Sequence, residues 1–324
     1  MKKILGMGNA LVDILTPIDD DRLLEFLALP KGSMQLVDVS KTAEIEEKIR
    51  VFRHSTIAGG SAANTIKCIS QLGGIAGFIG KTGNDEIGAF FQQEMKLNGI
   101  EPCLLKSTLP SGRCNVIISA DHERTMATCL GAASDMKAED IDIEMFKNYD
   151  IFHIEGYLMQ NYDLIDKAGF LAKKAGLDIS LDFASYNVVS ENIDFLRYFT
   201  KKYADIVFAN EEESFAYTQE KPEDAARIIG EITDMAIVKV GAKGSYIAHR
   251  NAIERVDAVY TDKVVDTTGA GDIFAAGYLY GVSKGFDIAK CGYLGSLCAS
   301  EIIQSVGAKM SDASMQKIKA IIEA

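Results

Sequence analysis

Apolar and polar positions follow two different rhythms along this chain. Short apolar runs at residues 75–80, 150–154, 178–182 and 205–209 each precede a longer amphipathic stretch, at 85–98, 162–175, 191–203 and 211–218. A short apolar run bounded by turn residues predicts a buried strand, and apolar positions recurring every three to four residues predict a helix. Their succession predicts βαβ units, and hence an α/β fold with a doubly wound, mostly parallel sheet flanked by helices. Ligands of such folds gather at the carboxyl ends of the strands. Three further helical stretches, 269–284, 287–304 and 311–323, close the chain.

The second rhythm lies in segments 10–16, 33–37, 113–119 and 124–129, which are short and rich in β-branched or apolar side chains. No helix separates the last two, and Asp121, His122 and Glu123 between them read as a polar hairpin turn. These segments predict a small separate sheet beside the main one. We read it as a lid formed by segments about 10–16, 33–37 and 103–130. With no Pro/Gly/Ser-rich linker, repeat or low-complexity tract, residues 1–324 read as one α/β domain carrying that lid.

Composition narrows the partners. Charged residues are 25% and hydrophobics 48%, values of a folded globular chain. Lys and Arg number 34 against 46 Asp and Glu, giving a formal charge of −12, so no basic stripe for nucleic acid is expected. A bound triphosphate would rely on Mg²⁺, backbone N–H groups and a few placed cations. The six cysteines, at 68, 103, 114, 129, 291 and 298, include no Cys-x-x-Cys pair and no spacing to histidine that fits zinc. They scatter through apolar stretches, which suits a reducing, cytoplasmic setting. The start, Met1-Lys2-Lys3-Ile4-Leu5-Gly6, reads as a first strand rather than a signal peptide, and no apolar run of 18 residues would span a membrane.

Candidate chemistry centres on Asp266-Thr267-Thr268-Gly269-Ala270-Gly271-Asp272, which runs into an apolar helix. Free N–H groups of a first helical turn, reached through side-chain-free Gly269 and Gly271, form an anion site reinforced by the helix dipole. Asp272 in the same turn is placed to accept a proton from a substrate hydroxyl. The plainer account is a helix capped by Thr267 or Thr268, with Asp272 facing the dipole. Other segments divide in the same way. Gly59 and Gly60 before a helix bearing Asn64 can admit a polyol against the backbone, or simply form a helix entry. Asp13 can accept bonds from two neighbouring ribose hydroxyls, or serve the turn it sits in. Asn210 and Glu213 share one helix face and can hold Mg²⁺ waters, or cap the helix. Lys239, Gly241 and Gly244 lie in a turn that suits a nucleotide or a plain hairpin. Gly6-x-Gly8 lacks the third glycine of a dinucleotide fingerprint, since Leu11 stands there, and Gly80-Lys81-Thr82 lacks the earlier glycine of a P-loop, since Ile75 stands there.

Taken in order, Gly-Asn-x-x-x-Asp near the N-terminus, Gly-Gly-Ser-x-x-Asn near 60, Asn-x-x-Glu near 210, Val-Gly-x-x-Gly near 241 and Asp-Thr-x-Gly-Ala-Gly-Asp near 266 resemble the ribokinase-like (PfkB-type) carbohydrate and nucleoside kinases. The resemblance covers essentially the whole chain. It implies transfer of the γ-phosphoryl group of ATP, with Mg²⁺, to a primary hydroxyl of a small molecule by a monomer or homodimer. Asp272 then matches the base, and Gly269, Ala270 and Gly271 the anion hole. Asp13, Gly59, Gly60 and Asn64 match positions that hold sugar hydroxyls. Asn210 and Glu213 match the Mg²⁺ and phosphate motif, Glu213 through water, and Lys239, Gly241 and Gly244 the nucleotide loop. Asp266, Thr268, Ile302, Gly307 and Ser311 match a monovalent-cation (K⁺) site, although Met310 stands where proline is common.

Within the family, Met7 to Ile14 and Glu123 to Thr128 look most like adenosine kinases. That likeness implies that Arg124 reaches the transferring phosphate and that Tyr157 stacks on the base; a buried tyrosine after a strand is the competing account. Those enzymes read the base with a glutamine. Here Met34 aligns with it and Gln35 stands one place along, pointing oppositely if the segment is a strand. The acceptor therefore stays open between a ribonucleoside and a free sugar. Asp272 with both glycines argues against a non-catalytic, ligand-sensing relative.

Overall fold

The computed structural model describes residues 1–250 and 252–323. Nine strands form a large sheet in the spatial order Ala252–Val256, Ser245–His249, Met235–Lys239, Ile206–Asn210, Asp178–Asp182, Ile151–Glu155, Ile4–Met7, Ala76–Thr82, Glu101–Lys106. Pairing is parallel except at the first edge, where the strands from Met235 to Val256 form antiparallel hairpins. Alternate residues feed different cores: Ile206 and Phe208 pack into one, Val207 and Ala209 into the other. A sheet covered on both faces needs such continuous apolar runs, which is why these segments are legible as buried strands.

Several of the expected helices form with side-chain caps at their entries. Asp85 accepts from Gly88 N at 2.8 Å, Asn161 from Leu164 N at 3.2 Å and Asp287 from Lys290 N at 2.7 Å. Stretch 191–203 departs from expectation. It is two helices, Tyr186–Glu191 and Ile193–Tyr203, because Asn192 leaves helical geometry at φ −122° and its amide turns back to the Val188 carbonyl at 2.9 Å. The closing helices are Ala270–Lys284, Ile288–Ile302 and Asp312–Glu323.

Five strands form the small sheet, in the order Met34–Leu36, Arg124–Cys129, Gly112–Ile118, Leu11–Pro17, Ser55–Gly59. One of its faces is covered by the helices Arg22–Leu27 and Val39–Ile49, whose Leu24, Leu27, Ile45 and Ile49 pack with Ile117 and Ala127. Two boundaries correct the expectation. Ser55–Gly59 joins the small sheet, and Glu101–Lys106 leaves it, so residues 103–106 belong to the edge of the large sheet beside Ala76–Thr82. Cys103 and Leu105 pack toward one core and Leu104 toward the other. Only a strand of the two-faced sheet satisfies both.

The carboxyl ends of five neighbouring parallel strands carry Lys239, Asn210, Asp182, Glu155 and Met7, the last leading directly into Gly8 and Asn9. The small sheet grows from that end, since Leu11 follows Asn9 by two residues. The site therefore lies where the two sheets meet.

Candidate active site

Asp272 is the third residue of the helix Ala270–Lys284, and its carboxylate is held from outside that helix. Ser61 Oγ donates to Oδ1 at 2.7 Å, Asn64 Nδ2 donates to Oδ2 at 3.0 Å, and Thr65 Oγ1 donates to the Asp272 carbonyl at 3.1 Å. All three donors lie on the helix Ser61–Gln71. Burial pushes the carboxyl up to about 6, against the lowering pull of the Ser61 and Asn64 bonds. The group is ionised near neutrality yet more basic than an ordinary aspartate, which suits a general base. Neither Thr267 nor Thr268 caps the helix. Gly269 does, at φ 75°, and a Cβ there would lie 2.6 Å from the Ala308 side chain, so the turn requires glycine.

Asp13 lies on the small sheet with its carboxylate against Gly59. A Cβ on Gly59 would come within 2.6 Å of Asp13 Oδ2, and one on Gly60, at φ 97°, within 2.2 Å of the Asn9 carbonyl. The double glycine thus makes room for protein groups of the site. Lys67, buried one turn beyond Asn64, donates its Nζ to the Ala58 carbonyl and lies near enough for its charge to act on Asp13. Burial raises Asp13 to about 6, and Lys67 and then Arg124 offset part of that rise. The Asp13 carboxylate accepts no hydrogen bond among the described residues, which leaves its oxygens for a ligand.

Glu155 is the residue that sequence reasoning missed most plainly. It is buried, and its Oε1 accepts from Asn9 N at 2.9 Å and Asn9 Nδ2 at 2.7 Å, while Oε2 accepts from Ala62 N at 2.8 Å. One carboxylate thereby ties three elements together: its own strand, the entry to the small sheet, and the helix that holds Asp272. Burial pushes it up to about 7, with those backbone donors opposing. Asp182 was missed as well. Its Oδ2 lies 3.2 Å from Lys239 Nζ and its Oδ1 accepts from Ala184 N at 2.9 Å. Both are the last residues of parallel strands, a position that would have flagged them.

Lys239 reaches the anion turn. A Cβ on Gly271 would stand 3.1 Å from Lys239 Nζ, so the missing side chain opens the first helical turn to that ammonium. A phosphate entering there meets backbone N–H groups and one lysine, a fit for a nucleotide phosphate. Lys239 is raised, since attraction to Asp182 and Glu213 outweighs the desolvation that lowers it. Gly241 and Gly244, at φ 56° and 92°, turn the chain back into the antiparallel strand Ser245–His249, so this loop is also the hairpin of the plainer account.

Asn210 and Glu213 form a capping box. Asn210 Oδ1 accepts from Glu213 N at 2.9 Å, and Glu213 accepts from Asn210 N at 2.8 Å and from Asn210 Nδ2 at 2.6 Å. Burial raises the Glu213 carboxyl, and Lys239 opposes. Both of its oxygens are engaged, and no cluster of three metal-ligating side chains occurs among the described residues. Mg²⁺ would fit here only through water, carried by the phosphates.

The groups matched to a monovalent cation are arranged otherwise. Asp266 Oδ1 accepts from Thr268 N at 2.9 Å and Oδ2 from Gly307 N at 2.7 Å, while Arg124 Nη2 stands 2.9 Å from Oδ2. Ile302 accepts at its carbonyl from Ser305 N at 3.1 Å, and the Ser311 hydroxyl accepts from Ser314 N at 3.1 Å at the start of the last helix. A guanidinium already neutralises the one carboxylate, and a cation beside it would be repelled. In this arrangement the residues do not fit K⁺. Arg124 accordingly rests on Asp266, bridging the small sheet to the turn before Gly269.

Tyr157, in the short turn Gly156–Gln160, is 38% exposed rather than buried. Desolvation raises its phenol, and the nearby charges of Asp272 and Glu155 raise it further. Its side chain therefore stands near Asp272 and Glu155 and is partly exposed.

Residues 32–314 match the sequence profile of the pfkB family carbohydrate kinases. The crystal structure of adenosine kinase from Sinorhizobium meliloti superposes with a TM-score of 0.87 at 29% identity, covering 100% of this chain and 99% of that one. Adenosine kinase from Saccharomyces cerevisiae is 26% identical over 94% of this chain and 95% of its own length. The 5-dehydro-2-deoxygluconokinase of Geobacillus thermodenitrificans is 25% identical over 95% and 96%. Nucleoside and sugar-acid kinases are thus similar to this chain to nearly the same degree.

Proposed function

Because the chain belongs to the pfkB family of carbohydrate kinases, phosphotransferases that act on an alcohol group, we propose that it phosphorylates the primary hydroxyl of an adenosine-like ribonucleoside, with ATP and Mg²⁺. The observation that carries the chemistry is Asp272, a carboxylate raised to about 6 and aimed by Ser61 and Asn64 beside a glycine-lined helix terminus. In this reading Asp272 takes the hydroxyl proton while the helix N–H groups and Lys239 meet the phosphoryl oxygens. Asp13 holds the vicinal hydroxyls of the sugar. Mg²⁺, when bound, neutralises charge between the phosphates. The small sheet acts as a lid, and Arg124 moves from Asp266 to the phosphate when it closes.

The nucleoside acceptor is supported by Tyr157, whose partly exposed side chain near the carboxylates suits a stacked base. A free-sugar acceptor is the second reading, since the sugar-acid kinase relative is 25% identical. ADP release across a panel of nucleosides and sugars, with Mg²⁺ and again in excess chelator, tests both. Turnover is expected with adenosine and to vanish in chelator. Turnover with free sugars alone gives the second reading, and undiminished turnover in chelator overturns the mechanism.

A further inference from the structure

A lysine is seldom buried unless it is paired, and Lys67 lies buried in the helix Ser61–Gln71. It follows Asn64 by three residues, so the two share one side of that helix. Asn64 holds Asp272, and Lys67 stands toward the other carboxylate of the site. Its Nζ donates to the carbonyl of Ala58, the residue before Gly59, against which the Asp13 carboxylate lies. That bond ties the helix to the strand Ser55–Gly59, where Ile57 pairs with Asp13. An ammonium has three donors, and among the described residues Lys67 spends its hydrogen bond on a neutral carbonyl.

Asp13 is the foremost of the charges that stabilise Lys67, followed by Glu94 on the helix Glu86–Leu97 and Asp272 on Ala270–Lys284, while Lys309 opposes them. Burial outweighs these carboxylates and lowers the ammonium to about 8, so it stays charged at neutral and acid pH. Asp13 faces Lys67 and then Arg124 as cations. Its pairing neighbour Cys114 stays neutral, because burial and the Asp13 charge push that thiol up to about 12. Arg124 is engaged with Asp266 at 2.9 Å and leaves for the phosphate in the reaction proposed above. Lys67 is the cation that packing keeps in place. A buried carboxylate that accepts no hydrogen bond tends to take up a proton unless a cation opposes it.

We infer that Lys67 is a positioning residue for the acceptor: its buried ammonium keeps Asp13 ionised, so that two neighbouring hydroxyls meet a carboxylate rather than a carboxylic acid. This rests on the reading of Asp13 as the holder of those hydroxyls. A carboxylate accepts at both oxygens, and bonds to a charged acceptor are roughly twice as strong as neutral ones. The acid form spends one oxygen on its own proton. Acceptor affinity should therefore follow the charge of Asp13, weakening as pH falls through about 6, and Lys67 sets where that happens.

The test measures kcat and KM for adenosine from pH 5 to 8.5 in wild type, Lys67→Gln, Lys67→Met and Lys67→Arg, with thermal melts to check folding. Glutamine keeps a donor for the Ala58 carbonyl but no charge, methionine keeps neither, and arginine keeps both. An opposite charge within about 4–6 Å shifts a carboxyl by about 1–3 units, and we take the low end. In Lys67→Gln and Lys67→Met the acid limb of KM should move from about 6 to about 7. KM at pH 6 then rises about 5-fold, while at pH 8.5 these variants should nearly match wild type. The kcat should change less, because Asp272 ranks behind Asp13 and Glu94 among the carboxylates that act on Lys67. Lys67→Arg should keep the wild-type limb. Calorimetric binding of adenosine at pH 7 should release about 0.1 proton in wild type and about 0.5 in Lys67→Gln, since Asp13 ionises to bind. An equal KM rise at every pH, an unmoved limb, or a limb displaced as far in Lys67→Arg as in Lys67→Gln overturns the inference and leaves the kinase standing. Should wild type turn over ribose but not adenosine, the same series on ribose decides, since both offer neighbouring hydroxyls to Asp13. Wild type that phosphorylates neither removes the reading of Asp13, and the inference with it.

Discussion

Removing the Ser61 hydroxyl should move the pH at which this enzyme loses its rate. Ser61 Oγ stands 2.7 Å from Asp272 Oδ1 and stabilises the charged form of a carboxyl that burial raises to about 6. A hydrogen bond to a charged group contributes about 1.5–3 kcal/mol, and because Asp272 retains some solvent contact we take the low end, about one pKa unit. In Ser61→Ala the donor is gone, the ionised form loses support, and the carboxyl should titrate near 7. A base works only when deprotonated, so the single-turnover phosphorylation rate should fall on the acid side with a midpoint near 6 in wild type and near 7 in the variant. At pH 6 the ionised fraction drops from about one half to about one tenth, a loss of about 5-fold, while at pH 8.5 the two rates should nearly coincide. Single turnover at saturating acceptor removes product release and the separate titration of Asp13, also raised to about 6, from the measurement. A uniform loss at every pH, or an unmoved midpoint, would show that Ser61 does not tune the base and that the acid limb belongs to another group.

Asp272→Asn should cut turnover by at least ~10²-fold and yet stabilise the fold at alkaline pH. The native carboxyl is raised, so its contribution to stability is present below the unfolded value of 3.8 and is lost as pH rises through about 6. At pH 8 the neutral amide should therefore gain about 1–2 kcal/mol after allowance for solvent screening, a gain that vanishes below pH 4. Thermal melts across pH check this, and an unchanged or lowered Tm at pH 8 sinks it. Lys239→Met should weaken ATP binding about 10-fold by calorimetric titration, since the ammonium beside Gly271 is lost. Pairing it with Asp182→Asn removes the carboxylate left without its partner and should restore Tm while binding stays weak; full recovery of binding would make Lys239 a structural residue only.

The anion turn was legible because it is local: a glycine at positive φ, a helix terminus and a carboxylate lie within a few residues of one another. The strands and helices of the large sheet were legible for the same reason, each carrying its own period. What the sequence left open depends on partners far away. Glu155 acts through Asn9 and Ala62, 146 and 93 residues distant, so nothing around it advertises that it ties the site together. The strand Met34–Leu36 is too short for its alternation to say which face looks inward, and only its pairing with Met126 to Thr128 decides. Glu101–Lys106 likewise reads as small-sheet material until both of its faces are seen to be covered.

That division bears on what would make Asp272 the base of the proposed reaction. The glycine turn on its own offers an anion site and an aspartate near a helix terminus, where the dipole would hold the carboxyl low. Its rise to about 6 requires burial, and its aim requires Ser61 and Asn64, 211 and 208 residues earlier in the chain. Their helix is fixed in turn by Glu155 gripping Ala62 N and by the glycine pair that lets Asp13 and Asn9 approach. In the proposed reaction, proton acceptance at Asp272 and sugar binding at Asp13 would therefore share one support. A change that loosens Glu155 should disturb both together, and this coupling belongs to the fold rather than to the motif.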